Sequence, residues 1–116
     1  MPTLQPDLLF VYGTLRSDFN NRYARLLRKD AVLVGPATVS GSIYRLSHYP
    51  AFRPEPAGVV HGELYRLNQP AATLKALDDY EGSEYERMML NGAWIYQYKL
   101  PLPESTRILS GDFCAP

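Results

Sequence analysis

The sequence predicts a single α+β domain over residues 1–116, built around a curled and mainly antiparallel sheet. Strand-like segments outnumber helical ones, and Gly and Pro interrupt the chain at short, even intervals. The predicted elements run strand, helix, several strands, helix, several strands, which is not the strict alternation of a doubly wound parallel sheet. With 116 residues, of which 46% are hydrophobic, the chain is long enough for one core without disulfide or metal support.

The first half of the chain is predicted to hold strands around one short helix. Residues 8–12 form a continuous apolar run, typical of a buried strand, and Gly13 ends it in a turn. A helix follows, with apolar side chains three or four residues apart at Tyr23, Leu26 and Leu27. Its possible N-caps are Ser17, Asp18, Asn20 and Asn21. Residues 31–46 are predicted to be extended, and residues 47–56, SHYPAFRPEP, to be an exposed proline-rich loop.

The second half is predicted to hold one strand, a second helix and a hairpin. Val59–Leu67 alternates as a strand does, and residues 68–82 form a helix with Pro70 in its first turn and Gly82 at its end. Residues 87–90 and 93–98 are strands joined by Asn91 and Gly92, a pair favoured in two-residue hairpin turns. Residues 101–116 carry one more apolar segment at residues 108–109.

Composition excludes several classes of protein. Twelve Lys and Arg balance twelve Asp and Glu, so the surplus of positive charge that nucleic-acid binding requires is absent. No apolar run approaches the roughly 18 residues that cross a bilayer. The single cysteine forms no intramolecular disulfide, and residues 1–6 do not resemble a signal peptide. We therefore expect a cytoplasmic protein with no membrane or nucleic-acid partner.

The turn in VYGTLR, residues 11–16, is the first candidate binding site. A strand that enters a glycine-containing turn before a helix can direct successive backbone N–H groups into one concavity, where they bind a carboxylate or an oxyanion. A glycine there would let a ligand approach closely. An ordinary strand-to-helix turn has the same local sequence, so both interpretations remain open.

Glu81 is the candidate acid–base residue. Leu74, Leu77 and Glu81 are spaced i, i+3 and i+7, which places a carboxyl group on the apolar stripe of the second helix. Burial and the negative end of the helix dipole both predict a pKa raised towards neutrality, as general acid–base chemistry requires. Asp78 and Asp79 fall on other faces and are expected to be solvated. The alternative is a structural carboxylate paired with Arg87 or another base.

The other polar residues carry weaker signals. His48 and His61 lack metal-ligand spacing, and Cys114 stands too close to the end of the sequence to be a supported nucleophile. Glu63 is a possible second buried acid. Such acids usually pair with a neighbouring base, for which the candidates are Arg45 and Arg66.

The tyrosines are the remaining candidates, because a tyrosine can pack its ring while its hydroxyl reaches a ligand. Eight of the nine lie in predicted strands or beside loops. We expect two or three to line a pocket and the others to pack the core. The eight are Tyr12, Tyr44, Tyr49, Tyr65, Tyr80, Tyr85, Tyr96 and Tyr98.

Six motifs in order resemble the γ-glutamylcyclotransferase-like superfamily: VYGTLR, SHYPAF, VVHGELYRL, LDDYEGSEYER, AWIYQY and ILSGDF. They cover residues 10–113, and the nearest resemblance is to small bacterial proteins related to γ-glutamylamine cyclotransferase and the plant avirulence-induced proteins. The resemblance implies a small mixed, mainly antiparallel β-barrel with two short flanking helices. It also implies a pocket between the first strand's turn and the end of the second helix.

The resemblance also implies the chemistry. The α-amine of a γ-glutamyl amine or peptide attacks its own γ-carbonyl, which releases an amine and 5-oxoproline without metal or organic cofactor. Glu81 matches the family's catalytic glutamate in LDxxEG. Residues implied or expected to contact substrate are Tyr12, Gly13, Thr14, Leu15, Tyr49, Tyr85 and Tyr98.

The hairpin at Asn91 and Gly92 is shorter than in the family, where that region borders the pocket. The resemblance therefore implies altered recognition of the leaving group and a more open site. The expected partner is a small γ-glutamyl molecule, and the expected state is a monomer or weak homodimer. The alternative function is a non-catalytic module that binds a small carboxylate or a peptide end on the same fold.

Overall fold

The computed structural model describes residues 7–17, 19–46 and 49–114. Within these ranges the chain forms two α-helices, seven strands and one short 3₁₀ turn at Glu104–Thr106. The helices are α1 (Arg22–Asp30) and α2 (Pro70–Glu81). The strands are β1 (Leu8–Val11), β2 (Ala31–Ser40), β3 (Ser42–Leu46), β4 (Tyr49–Arg53), β5 (Val59–Leu67), β6 (Tyr85–Leu90) and β7 (Ala93–Tyr98).

Five strands form one sheet in the order β2-β5-β1-β7-β6, and β3 and β4 form a separate hairpin. The β1–β7 pair is parallel, and the other pairs are antiparallel. The α+β class is confirmed. The closed barrel is not observed: across the described residues β2 and β6 each pair with one neighbour only, because β3 and β4 pair with each other and bridge neither edge.

The two faces of the sheet bury different clusters because successive side chains of β1 point to opposite sides. Leu9 and Val11 pack with Leu27 of α1 and with Leu74 and Leu77 of α2. The opposite face packs against the β3–β4 hairpin and the segment that follows β7, in a cluster that includes Phe10, Ile43, Phe52, Ile95 and Ile108. The sheet therefore separates the helices from the β3–β4 hairpin, and the end of β1 lies between them.

Asn21 caps α1, as one of the four predicted candidates. Its Oδ1 accepts hydrogen bonds from the N–H groups of Tyr23 (3.1 Å) and Ala24 (2.8 Å). These two bonds satisfy donors that the first turn of a helix leaves without an intrahelical partner. Asp18, another candidate, lies outside the described residues.

The prediction of an exposed loop over residues 47–56 is wrong for its central part, which is strand β4. Ala51 and Phe52 are fully buried, and Pro50 is buried beside them. Proline is tolerated because β4 belongs to a two-stranded sheet and so has a free edge, where a missing N–H breaks no ladder. The high proline content of this segment therefore led to the prediction of a loop where the chain forms a strand with a buried face.

The β6–β7 hairpin turns at Asn91 and Gly92 as predicted, with φ of 52° and 83°. Both are positive, as a two-residue turn of this type requires.

The last apolar segment, residues 108–109, forms no strand. The N–H of Ile108 donates to the carbonyl of Ile43 (2.9 Å), and Leu109 is 90% exposed. Neither helix in the described part of the chain has the length and apolar character needed to cross a bilayer.

Candidate active site at the end of strand β1

A cavity of about 90 Å³ lies where the turn after β1 meets the start of β4 and the end of α2. We call it the turn cavity. Strands β1 and β4, the turn after β1 and helix α2 contribute residues to its wall, and β6 and β7 contribute one tyrosine each. Its wall consists of Phe10, Val11, Tyr12, Gly13, Thr14, Leu15, Tyr49, Pro50, Tyr80, Glu81, Tyr85 and Tyr96.

Glu81 brings the carboxyl group to this cavity. Leu74 and Leu77 on the same stripe are buried, which confirms the predicted orientation of α2, and Glu81 follows them at its last position. Removal of the carboxylate from water raises the pKa of Glu81 to about 7. Among the described residues Glu81 has no hydrogen-bond or ion-pair partner, so its carboxyl group is available to a ligand.

The predicted alternative for Glu81, an ion pair with Arg87, is not observed. Arg87 instead holds Asp78 through two bonds, from Nε to Oδ1 (3.0 Å) and from one terminal nitrogen to Oδ2 (3.1 Å). The hydroxyl of Tyr96 donates to the same carboxylate at 2.6 Å. The expectation that Asp78 is merely solvated is therefore wrong, whereas Asp79 is exposed as expected.

We expect Asp78→Ala to lower the free energy of unfolding by about 1–2 kcal/mol, because it leaves the Arg87 guanidinium and the Tyr96 hydroxyl without their acceptor. Urea unfolding measures the loss. Asp79→Ala on the same helix is the control, with an expected change within about 0.5 kcal/mol. An equal loss in both variants would contradict a specific role for the Asp78 contacts.

The turn after β1 is held in place from both helices. The carbonyl of Thr14 accepts from Asn21 Nδ2 at 2.6 Å, and the hydroxyls of Thr14 and Tyr80 lie 2.9 Å apart. The N–H groups of Gly13, Thr14 and Leu15 have no acceptor among the described residues. These three residues therefore present unused donors along the part of the turn that lines the cavity.

Gly13 has a different structural reason from the one predicted. A Cβ at this position would overlap the ring of Pro50, with its Cδ only 2.8 Å away. The turn thus packs directly against β4, and the glycine permits that contact. The Pro50 ring occupies the space that a Cβ would fill, so the predicted close approach of a ligand is not the reason for the glycine that the structure shows.

Five tyrosines line the cavity, more than the two or three expected. Tyr12, Tyr49 and Tyr85 were predicted for this role, and Tyr80 and Tyr96 were not. Tyr96 lies two residues before Tyr98 on the same face of β7, so register alone favoured neither. Tyr80 had a local signal, since it directly precedes Glu81.

Tyr98 is not part of the cavity wall. Its hydroxyl donates to a Glu84 oxygen at 3.4 Å, and its ring packs edge-on against Tyr85 at 5.2 Å between centroids. The prediction that Tyr98 contacts substrate is therefore not supported by its position. Its ring contact is with Tyr85, which does line the cavity.

Two of the wall tyrosines tie the cavity together through main-chain acceptors. The Tyr12 hydroxyl donates to the Tyr96 carbonyl at 2.6 Å, and the Tyr85 hydroxyl donates to the Pro50 carbonyl at 2.9 Å. Burial, with the nearby Glu81 charge as a further cause, raises the pKa of Tyr12 well above its ordinary value. The phenol therefore stays protonated and acts as a structural donor.

Glu63 lies outside the turn cavity and pairs with neither arginine that was proposed for it. Its carboxylate accepts from the N–H of Ser17 (2.6 Å) and from the Ser17 hydroxyl (2.7 Å). A strand carboxylate thus fixes the segment that leads from the turn to α1. The sequence did not predict this pair, because the two residues are distant and no local pattern relates residues 17 and 63.

The turn end of the short β6–β7 hairpin does not border the cavity. Tyr85 pairs with Tyr98 at one end of the β6–β7 ladder, and Leu90 pairs with Ala93 beside the turn at the other. The cavity receives Tyr85 and Tyr96 from this hairpin and none of residues 88–93. The prediction that its shortening changes the pocket is therefore not supported by the geometry.

His61 and Cys114 are exposed, and His48 lies outside the described residues. Residues 7–17, 19–46 and 49–114 contain no group of three His, Cys, Asp or Glu side chains arranged to hold a metal ion.

The fold agrees with the family to which the sequence is similar. A family model described as γ-glutamyl cyclotransferase, AIG2-like matches residues 9–115, and the chain belongs to this family. The γ-glutamylcyclotransferase family protein YtfP of Escherichia coli K12 is 37% identical over 112 residues, covering 90% of this chain and 94% of that protein. The resemblance drawn from the six motifs is confirmed.

Two solved structures share the fold. The solution structure of E. coli YtfP gives a TM-score of 0.69 at 34% identity, covering 93% of this chain and 96% of that one. The crystal structure of an uncharacterized protein from Pyrococcus horikoshii gives 0.75 at 21% identity, covering 92% and 89%. Family membership supports activity of the γ-glutamylcyclotransferase type and leaves the substrate open.

Proposed function

We propose that this protein cyclises a γ-glutamyl amine or peptide, releasing 5-oxoproline and a free amine, with Glu81 as the general acid and base. The observation that carries the proposal is the Glu81 carboxyl group, which has a pKa of about 7 and lines the same cavity as the turn after β1. A group with this pKa exchanges a proton readily near neutral pH.

Each proton that moves in the reaction has an assigned donor and acceptor. The substrate's α-ammonium group loses a proton to the Glu81 carboxylate, and the resulting amine attacks the γ-carbonyl carbon. A carbon–nitrogen bond forms in the five-membered ring, and the bond to the leaving nitrogen breaks. Glu81 returns its proton to that nitrogen, and the second proton that the new ring nitrogen must lose also passes through the Glu81 carboxylate to the released amine, which leaves as an ammonium group. The carboxylate is then restored and no other reactant is consumed.

The turn supplies donors for the oxygen atoms of the substrate. The unused N–H groups at Gly13, Thr14 and Leu15 suit a carboxylate or the oxygen on which negative charge develops during attack. Because these groups are fixed by the contacts with Asn21 and Pro50, they need little reorganisation. Such fixed dipoles stabilise a transition state better than mobile water does.

The cavity also favours the folded form of the substrate. The attacking amine and the attacked carbonyl belong to one molecule, so holding that molecule bent brings them into reaction distance. Rings from Tyr12, Tyr49 and Tyr85 surround the space in which this bend would be held. The proposal includes no metal or organic cofactor. It places the reaction in the cytoplasm, carried out by a monomer or weak homodimer.

Mass spectrometry of 5-oxoproline tests the proposal. The purified protein is incubated with a panel of γ-glutamyl amines and γ-glutamyl peptides, with the α-glutamyl isomers as matched control substrates. We expect 5-oxoproline from at least one γ-linked compound and none from its α-linked isomer above the uncatalysed rate. Binding of 5-oxoproline in calorimetry with no turnover of any γ-linked compound would favour the non-catalytic binding module instead.

The pH dependence follows from the direction of the Glu81 shift. The attacking amine needs the carboxylate form of Glu81, whose fraction rises as pH increases through about 7. We expect kcat/KM to increase about tenfold per pH unit at low pH and to level off above about pH 7.5. Initial rates from pH 5 to 8.5 measure this profile. A rate that is constant over that range would contradict acid–base catalysis by a neutral-range carboxyl.

A further inference from the structure

The hydroxyl pair of Thr14 and Tyr80 is a polar contact in the turn cavity that the proposed reaction does not use. Thr14 lies in the turn after β1, and Tyr80 is the residue before Glu81 in α2. Their hydroxyl oxygens are 2.9 Å apart, and both residues line the cavity. The pair therefore joins the turn to the helix that carries the acid–base residue.

A count of protons shows that this pair has one to spare. Two hydroxyls carry two protons, and the bond between them uses one. Among the described residues neither hydroxyl has another partner. By contrast, the protons of Tyr12, Tyr85 and Tyr96 go to a main-chain carbonyl, a second main-chain carbonyl and the Asp78 carboxylate.

The pair is also held in position. The ring of Tyr80 packs on the ring of Tyr23 at 4.4 Å between centroids, and Asn21 holds the Thr14 carbonyl. Burial raises the pKa of Tyr80, so its phenol is a donor at neutral pH. A fixed donor loses less freedom on binding a ligand than a mobile one does.

We propose that the Tyr80 hydroxyl, accepting from Thr14, donates its proton to the carboxylate of the γ-glutamyl group in the turn cavity. A phenol is the more acidic of the two hydroxyls, which favours Tyr80 as the donor to an anion. The bond from Thr14 polarises the phenol and strengthens that donation. Tyr80 is thus a substrate-binding residue, and this inference rests on the proposed function.

Calorimetric binding of 5-oxoproline to Tyr80→Phe is the first experiment. We expect Kd to rise about ten- to a hundredfold, as for loss of one hydrogen bond to a charged group. The carboxamide of 5-oxoproline, which lacks the charge, should lose much less affinity. Turnover of the best γ-glutamyl compound should show a larger KM with kcat changed less than threefold.

Tyr23→Phe is the matched control, because it removes the hydroxyl of the neighbouring ring that does not line the cavity. Its Kd and KM should equal those of the unchanged protein. Unchanged Kd in Tyr80→Phe, or equal losses for 5-oxoproline and its carboxamide, would overturn the assignment while the proposed reaction stands. If the unchanged protein neither binds nor releases 5-oxoproline, both proposals fail.

Thr14→Ser and Thr14→Val separate the role of Thr14 from a structural one. Serine keeps the hydroxyl and should retain the affinity for 5-oxoproline, whereas valine keeps the shape and should lose part of it. In the double variant with Tyr80→Phe, valine should add little further loss, because the phenol that it polarises is gone. Fully additive losses would contradict the relay from Thr14 through Tyr80.

Discussion

Replacing Glu81 by glutamine is expected to lower kcat for 5-oxoproline release by about 10²- to 10⁴-fold, the usual contribution of a positioned acid–base group. Glutamine keeps the size of the side chain but can neither accept nor return the proton. KM should change little, because the turn and the tyrosines remain. Product quantification by mass spectrometry over a range of substrate concentrations separates kcat from KM. Asp79→Asn, an equivalent change at an exposed position of α2, should retain full activity.

The stability of Glu81→Gln relative to the unchanged protein is expected to increase with pH. Such an increase would show that the loss of activity does not come from a loss of structure. The folded protein raises the pKa of Glu81 from 4.5 to about 7 and therefore binds this proton more tightly than the unfolded chain. The resulting stabilisation is complete below about pH 4.5 and is lost as pH rises through about 7. Relative to the unchanged protein, Glu81→Gln should thus gain about 1–3 kcal/mol at pH 8 compared with pH 4.

Chemical unfolding of both proteins at the two pH values measures that difference. Glu86→Gln is the control for the substitution itself, since Glu86 is exposed on β6. A Glu81→Gln variant that is less stable than the unchanged protein by the same amount at both pH values would show that burial does not destabilise the carboxylate form of Glu81. Its low activity would then have a structural explanation.

Gly13→Ala is expected to have the second large effect, because the added methyl overlaps the Pro50 ring. Overpacking of this kind costs about 1–3 kcal/mol, and relief requires the turn or β4 to move. A shift near 1 Å at a reactive site lowers rates by about 10²-fold. We therefore expect a lower denaturation midpoint and at least a tenfold fall in kcat/KM.

A second substitution tests the cause. Pro50→Ala removes the Cγ and Cδ atoms that the new methyl meets, so the double variant should recover part of the stability that Gly13→Ala loses. Simple additivity of the two losses would show that the overlap is not the reason for the glycine. Crystal structures of the single variants would show which of the two segments moves.

Helical spacing predicted the most informative part of the site. Leu74 and Leu77 are buried, and the position of Glu81 on their stripe follows from the 3.6-residue period. Two further elements could be predicted equally well, because each depends on residues adjacent in sequence: the turn at Asn91 and Gly92, and the strand Val59–Leu67. Local rules are sufficient where the cause of the structure is local.

The parts that the sequence did not predict depend on contacts between distant residues. Pro50 marks an edge strand, but a proline-rich segment has the same composition in a loop. Whether Arg87 pairs with Asp78 or with Glu81 depends on how β6 packs against α2. Whether the sheet closes depends on which strands pair at its edges, and periodicity within a strand carries no information about that.

The titration of the Glu81 side-chain carboxyl by NMR tests the central claim most directly. The carboxyl carbon is followed from pH 3 to 9 in protein labelled at glutamate, and its resonance is identified by its absence from Glu81→Gln. We expect a midpoint of about 7, and a shift of that midpoint when 5-oxoproline is added. A midpoint near 4.5, unchanged by 5-oxoproline, would contradict a buried acid–base residue in the turn cavity.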